Sequence, residues 1–171
     1  MKILNYEIIS TIFIWILGTV LHFTYELSNN NIFVGFFSAV NESTWEHLKL
    51  IFFPMLISTI IGFFYFKNEY KNYLCTKTLG LLLAIFITIS VFYTYTGIIG
   101  TNFTIIDISL FFFSTLAGQI YSYKKLKSNT KCNNLISIFI LILIFICFII
   151  FTTNPPNINL FLDPVTNTFG I

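Results

Sequence analysis

The chain alternates long apolar runs with short polar ones, and the length of the apolar runs is the first signal. A membrane-crossing helix needs about 20 mostly apolar residues. Five runs meet that length, at about 7–25, 48–66, 78–99, 103–123 and 135–153. A sixth apolar run, 32–40, is too short, because nine helical residues cover only about 14 Å. It is expected to lie in the membrane interface or to dip in and return. The pattern therefore predicts an all-α membrane protein: one domain over 1–171, a bundle of about five transmembrane helices, an interfacial or re-entrant segment near 32–40, and a C-terminal tail.

The tail, "NPPNINLFLDPVTNTFGI", opens on a helix stop at Pro155-Pro156 and is too broken by Pro and Gly to span. Leu160, Phe161, Leu162 and Phe169 give it apolar anchors, so it is expected to fold over one face, with Asp163-Pro164 at a turn. The first run is read as a retained helix and not as a cleaved signal, because Glu7 interrupts its start and no A-x-A-like site follows.

Composition agrees with lipid as the natural solvent. Only 9% of residues are charged, against roughly 25% in a soluble domain. There is no basic patch for nucleic acid, no phosphate loop and no G-x-S-x-G string. The three cysteines, Cys75, Cys132 and Cys147, are scattered without metal or disulfide spacing. They read as small apolar residues in or beside helices. Usage rich in Ile, Phe, Asn and Lys, with no Arg, resembles translation of an AT-rich bacterial genome.

Charge then sets orientation. Eight of the nine lysines, Lys2, Lys67, Lys71, Lys77, Lys124, Lys125, Lys127 and Lys131, fall on one side of a five-span chain, and only Lys49 falls on the other. The positive-inside rule makes the lysine-rich side cytoplasmic, with the N-terminus inside, the C-terminus outside and a bacterial plasma membrane as the setting. Both histidines and five of the seven acids then gather at the outer face: His22, Glu26, Glu42, Glu46, His47, Asp107 and Asp163. No span shows an ionisable group in its middle, which argues against a proton relay.

The densest outer cluster is "NESTWEHLKL", residues 41–50. Part of it is helix-start grammar. Ser43 to Glu46 fits the capping box, in which Glu46 reaches back to the Ser43 amide. Trp45 fits an interfacial aromatic belt, and Glu46 and Lys49 can pair at i,i+3. His47 and Glu42 are not accounted for in this way. His22 and Glu26 stand at i,i+4 on the first span, so two helix ends each offer an imidazole and a carboxylate on the same face. That donor set suits Zn, Mn or Fe, and it also suits a general base with an orienting acid. The metal-ligand candidates are His22, Glu42, His47 and Asp163. His47, Glu46 and Asp107 are the catalytic candidates, with Asn41, Trp45, Lys49 and Tyr95 as supporting residues. Hydrogen-bonded interfacial histidines and belt tyrosines are the plainer readings of the same residues.

The strings "HFTYE", "VGFFSAVNESTWEHLKLIFFPML", "YTYTGIIGTNFTIIDISLFF" and "PPNINLFLDPVTNTFGI" resemble a family of small clostridial integral membrane proteins catalogued as a domain of unknown function. Its most specific string is N-E-S-x-W-E-H-x-K. The resemblance covers most of the chain and implies a bacterial membrane protein. It brings no activity with it. The family's recurrent motifs fall here on His22, Asn41 to Lys49, Tyr95, Asp107 and Asp163. A weaker likeness joins the chain to multi-pass hydrolases that hold zinc with His and Asp at helix ends, such as the alkaline ceramidase and adiponectin-receptor group. Those have seven helices and a late His-x-x-x-His, and this chain has neither. Three roles follow as expectations: a metal-dependent membrane hydrolase, a solute-binding or transport component, or a structural partner in an assembly. The lipid bilayer is the one partner the composition names.

Overall fold

The computed structural model describes residues 2–128 and 132–171. Lys131, counted above among the inner lysines, lies outside them. The described residues form α1 (Ile3–Leu27), α2 (Ile32–Gly35), α3 (Thr44–Phe66), α4 (Tyr73–Ile99), α5 (Thr104–Leu126) and α6 (Asn134–Thr153). All but α2 are long and apolar enough to cross a membrane. The five-helix expectation holds, and the short 32–40 run becomes the single helical turn α2 with a loop after it.

The helix boundaries differ from the hydropathy reading. Helix α1 begins before Glu7 and α4 begins before Lys77, so both residues lie inside helices and both are buried. Reading the chain for isolated charge places them at span ends, because an unpaired ion is costly in lipid. In the structure they are paired with each other: Lys77 Nζ is 2.7 Å from Glu7 Oε2. Pairing removes the reason to end a helix there.

Helices α3 and α4 carry much of the core. Leu48, Ile51, Phe52 and Met55 of α3 pack with Ile14 of α1, Leu81 and Ala84 of α4, and Leu141 and Phe148 of α6. Contacts are densest between α4 and α5, which meet at Gly80 and Gly118. A Cβ on Gly80 would stand 2.5 Å from the Gly118 carbonyl oxygen. Small residues at such crossings let backbones approach where lipid supplies no hydrophobic drive for association. Side chains facing away from the bundle, among them Ile9, Ile16, Phe64, Phe86, Phe113 and Phe139, are exposed and apolar, which is the composition of a lipid-facing surface.

The cysteine reading needs correction. Cys75, in the first turn of α4, and Cys132, just before α6, form a disulfide. The Asn134 carboxamide reinforces the join, accepting from the Cys75 amide at 3.1 Å and donating to the Lys71 carbonyl at 2.8 Å. A separation of 57 residues hid the pair from a search for local spacing.

The tail folds over the end that holds the α3 N-terminus, as its apolar anchors require. Phe161 is buried against Trp45 of α3 and Phe151 of α6. The Trp45 amide donates to the Leu160 carbonyl, and the Ile171 amide donates to the Thr152 carbonyl.

Candidate metal centre

Two helix ends and one loop residue build the site. His22 stands near the C-terminal end of α1, and His47 is in the first turn of α3. Glu42 precedes the N-cap Ser43. The Ser43 hydroxyl accepts from the Glu46 amide at 3.4 Å, which fixes where α3 begins and so where His47 projects.

His47 Nδ1 lies 2.9 Å from the Ser43 carbonyl oxygen. A carbonyl can only accept, so Nδ1 carries the proton and Nε2 keeps its lone pair in the neutral ring. The two Nε2 atoms, of His47 and His22, are 3.3 Å apart, within reach of each other or of a shared ion. Glu42 completes the group, its Oε2 3.5 Å from His47 Nε2 and its Oε1 3.8 Å from His22 Nε2. Two imidazole nitrogens bound to one tetrahedral zinc at 2.0–2.1 Å stand about 3.3 Å apart. The imidazole spacing already matches that of a metal-bound pair. The three side chains are a third to a half exposed, so water and solutes reach the ligand atoms.

The other residues that the sequence reading assigns to the outer face do not join this group. Both Asp163 oxygens serve the tail's own turn: Oδ1 accepts from the Val165 amide at 2.8 Å and Oδ2 from the Thr166 hydroxyl at 2.8 Å. Asp107 accepts from the Tyr95 hydroxyl and, at 3.0 Å, from the Asn102 carboxamide, closing the α4–α5 turn. Glu26 is exposed and does not join the three-residue group. Trp45 lies under the tail, its ring centroid 4.7 Å from that of Phe148 and 4.8 Å from that of Phe161.

Glu46 departs from the capping-box expectation. The Ser43 amide donates to Asn41 Oδ1 at 3.0 Å, and the Glu46 carboxylate accepts instead from the Val40 amide at 3.1 Å and from Lys49 Nζ. Glu46 and Lys49 are both buried, so they are not surface charges of the outer face.

A second polar group, which sequence reading missed, lies at the opposite end of the bundle. Lys77 bonds Glu7 of α1 and, at 2.8 Å, Gln119 Oε1 of α5. Gln119 Nε2 donates to Ser10 Oγ at 3.0 Å, and Ser10 bonds the hydroxyl of Ser58 on α3. The only local hint is the polar spacing along the first turns of α1.

Fold and composition together define a multi-pass helical membrane protein. The chain belongs to the family described as "Family of unknown function (DUF6512)", whose model matches residues 2–171. No curated protein and no solved structure matches it.

Proposed function

We propose that this protein holds one divalent metal ion at the outer rim of the bundle, between His22, His47 and Glu42, and uses the ion's remaining positions for hydrolytic chemistry at the membrane surface. The supporting observation is the imidazole pair. Its 3.3 Å spacing, with the His47 Nδ1 proton committed to the Ser43 carbonyl so that Nε2 of the neutral ring keeps its lone pair, fits two imidazoles sharing one ion. Three protein ligands with solvent access are the catalytic pattern, whereas a closed set of four is the structural one. His22, His47 and Glu42 would hold the ion, and the chemistry it would supply there is activation of water as a nucleophile near neutral pH. Two His and one carboxylate suit Zn, Mn or Fe.

The proposed setting is a bacterial, clostridial plasma membrane, with the N-terminus inside and the metal outside. Lysine distribution supports that orientation. The Cys75–Cys132 disulfide weighs the other way, since it lies at the lysine-rich end and disulfides are rare in reducing compartments. The proposed orientation follows the lysines, which recur at the N-terminus and in both connections on that side.

Elemental analysis of the purified full-length protein tests the site. The expected result is about one Zn, Mn or Fe per chain, lost in His22→Ala and in His47→Ala. Metal-free wild-type protein, with unchanged thermal unfolding in both variants, would leave the two rings as a hydrogen-bonded pair and end the metal reading.

A further inference from the structure

Glu42 sits on a loop, and a metal ligand on a loop needs something to hold it. The segment from α2 to α3 carries little regular structure: α2 is four residues long, and Phe36 to Ser43 follow it before α3 begins. Beneath this segment lies the buried Lys49, whose ammonium makes three bonds. Two go to backbone carbonyls of the segment, Gly35 at 2.7 Å and Ser38 at 3.3 Å, and the third goes to Glu46. Glu46 Oε2 then accepts from the Val40 amide, two residues before Glu42. The ion pair is therefore bonded to the segment at residues 35, 38 and 40 in succession.

We infer that Lys49 and Glu46 are positioning residues for the metal centre: their buried ion pair fixes the backbone of residues 35–40 and thereby places the Glu42 carboxylate against His22 and His47. The inference rests on the metal reading above. It gives Glu46 and Lys49 a function without placing either in contact with the ion. An ordinary core would use apolar residues at these positions, because a buried ion pair adds little net stability over well-packed hydrophobic side chains. What the pair supplies is directionality: an ammonium and a carboxylate bond particular carbonyls and a particular amide, where a leucine and a methionine would only fill the volume.

The test uses the full chain in detergent or lipid nanodiscs, with Co²⁺ as the probe. Its visible absorption reports ligand geometry, and competition gives its affinity. The double variant Glu46→Leu/Lys49→Met removes both charges together and leaves no unpaired ion. The expected result is a wild-type helical signal and melting point with Co²⁺ affinity reduced roughly 10- to 100-fold, the usual cost of losing a group that orients a ligand. A double-mutant cycle separates positioning from general loosening. In a Glu42→Ala background the same double change should cost no further affinity, because the ligand it acts through is already gone. An unchanged Co²⁺ affinity, or a full additional loss on top of Glu42→Ala, overturns the inference. Should the double variant fail to fold, Glu46→Gln/Lys49→Met, which also strands no ion and removes the bonds to Gly35 and Ser38, takes its place and is read the same way.

A separate readout covers a wild-type chain that binds no metal, the result that ends the metal reading. Cysteines placed at 22 and 42 are oxidised, and the cross-linked peptide is quantified by mass. High yield in the otherwise wild-type chain, falling several-fold with Glu46→Leu/Lys49→Met, upholds the placement of residue 42. Equal yields overturn it.

Discussion

Each end of the bundle buries a lysine against a glutamate, and the two pairs hold different things. At the end that holds His22 and His47, proposed above as the outer one, Glu46 and Lys49 are three residues apart on one helix, and their remaining bonds go to the backbone of the segment from α2 to α3. At the opposite end, proposed as the inner one, Glu7 and Lys77 belong to different helices, and the remaining bonds go to side chains of a third: Gln119 and, at 3.5 Å, Ser122. The outer pair therefore orders an irregular segment, while the inner pair fixes how α1, α4 and α5 meet. Apolar faces specify helix contacts poorly in lipid, because neighbouring helices and lipid tails are equally greasy. Directional polar contacts supply the missing specificity, and here they are spent on helix assembly at one end and on site geometry at the other.

The largest expected effect comes from breaking the inner pair on one side only. Lys77→Met leaves a buried carboxylate with no counter-charge, and Glu7 Oε1 has no hydrogen-bond partner among the described residues. The expected loss is about 3–5 kcal/mol of stability, read as a lower melting point in detergent. Glu7→Gln combined with Lys77→Met should recover most of that, since no ion is then stranded. In the folded fraction of the single variant, metal affinity at the outer rim should be unchanged. A drop in affinity there would mean that the two ends are coupled through the helices, and the division of labour would fall.

A smaller effect is expected at the outer end from Asn41→Ala. The Asn41 side chain accepts from the Ser43 amide and donates to the Gly170 carbonyl at 3.0 Å, so it ties the loop carrying Glu42 to the end of the tail. Losing both bonds should cost about 1 kcal/mol, with the tail cleaved faster in limited proteolysis. If the tail stays resistant, the Phe161–Trp45 packing holds it unaided, and Asn41 serves the loop alone.

What the sequence made legible follows the range of each interaction. Span number and the gathering of His22, Glu42 and His47 at one end of the bundle were readable because hydropathy and the order of the spans are carried by contiguous stretches. His22, His47 and Glu42 could be grouped there, and the structure brings these three together. Asp163 could not be separated from them by topology, although the D-P-V-T string already signals the turn that consumes its carboxylate. The Glu46–Lys49 pair was visible as a spacing, but its burial was not, because the covering segment is fixed by backbone contacts that leave no residue pattern. Glu7, Lys77 and Gln119 were invisible as a group. Their sequence separations of 70 and 42 residues become contacts only once helix order and rotation are set. The Cys75–Cys132 pair was hidden for the same reason.

The smallest expected effect lies between the two ends, and it tests whether polar specification is confined to them. Trp15 Nε1 of α1 donates to the Thr115 hydroxyl of α5 at 2.9 Å, about two helical turns beyond Glu7. Thr115 has its own carbonyl partners one turn back, Phe111 at 2.8 Å and Phe112 at 3.1 Å, so its hydroxyl stays bonded when the indole is removed. The contact between α1 and α5 is also made by packing, with the Trp15 and Phe112 rings 5.2 Å apart and edge-on. Trp15→Phe keeps most of that ring contact and deletes only the donor. Hydrogen bonds between membrane helices average about 0.6 kcal/mol, with a maximum near 1.7. The expected change is therefore a few tenths to about 0.6 kcal/mol, a melting-point shift near the resolution of the measurement. Metal affinity should not change. A loss well above about 1.7 kcal/mol would place Trp15 and Thr115 in a continuous network with Ser10 and Gln119. The bundle would then be specified along its whole length, and the contrast between an inner end that assembles helices and an outer end that shapes a site would have to be withdrawn.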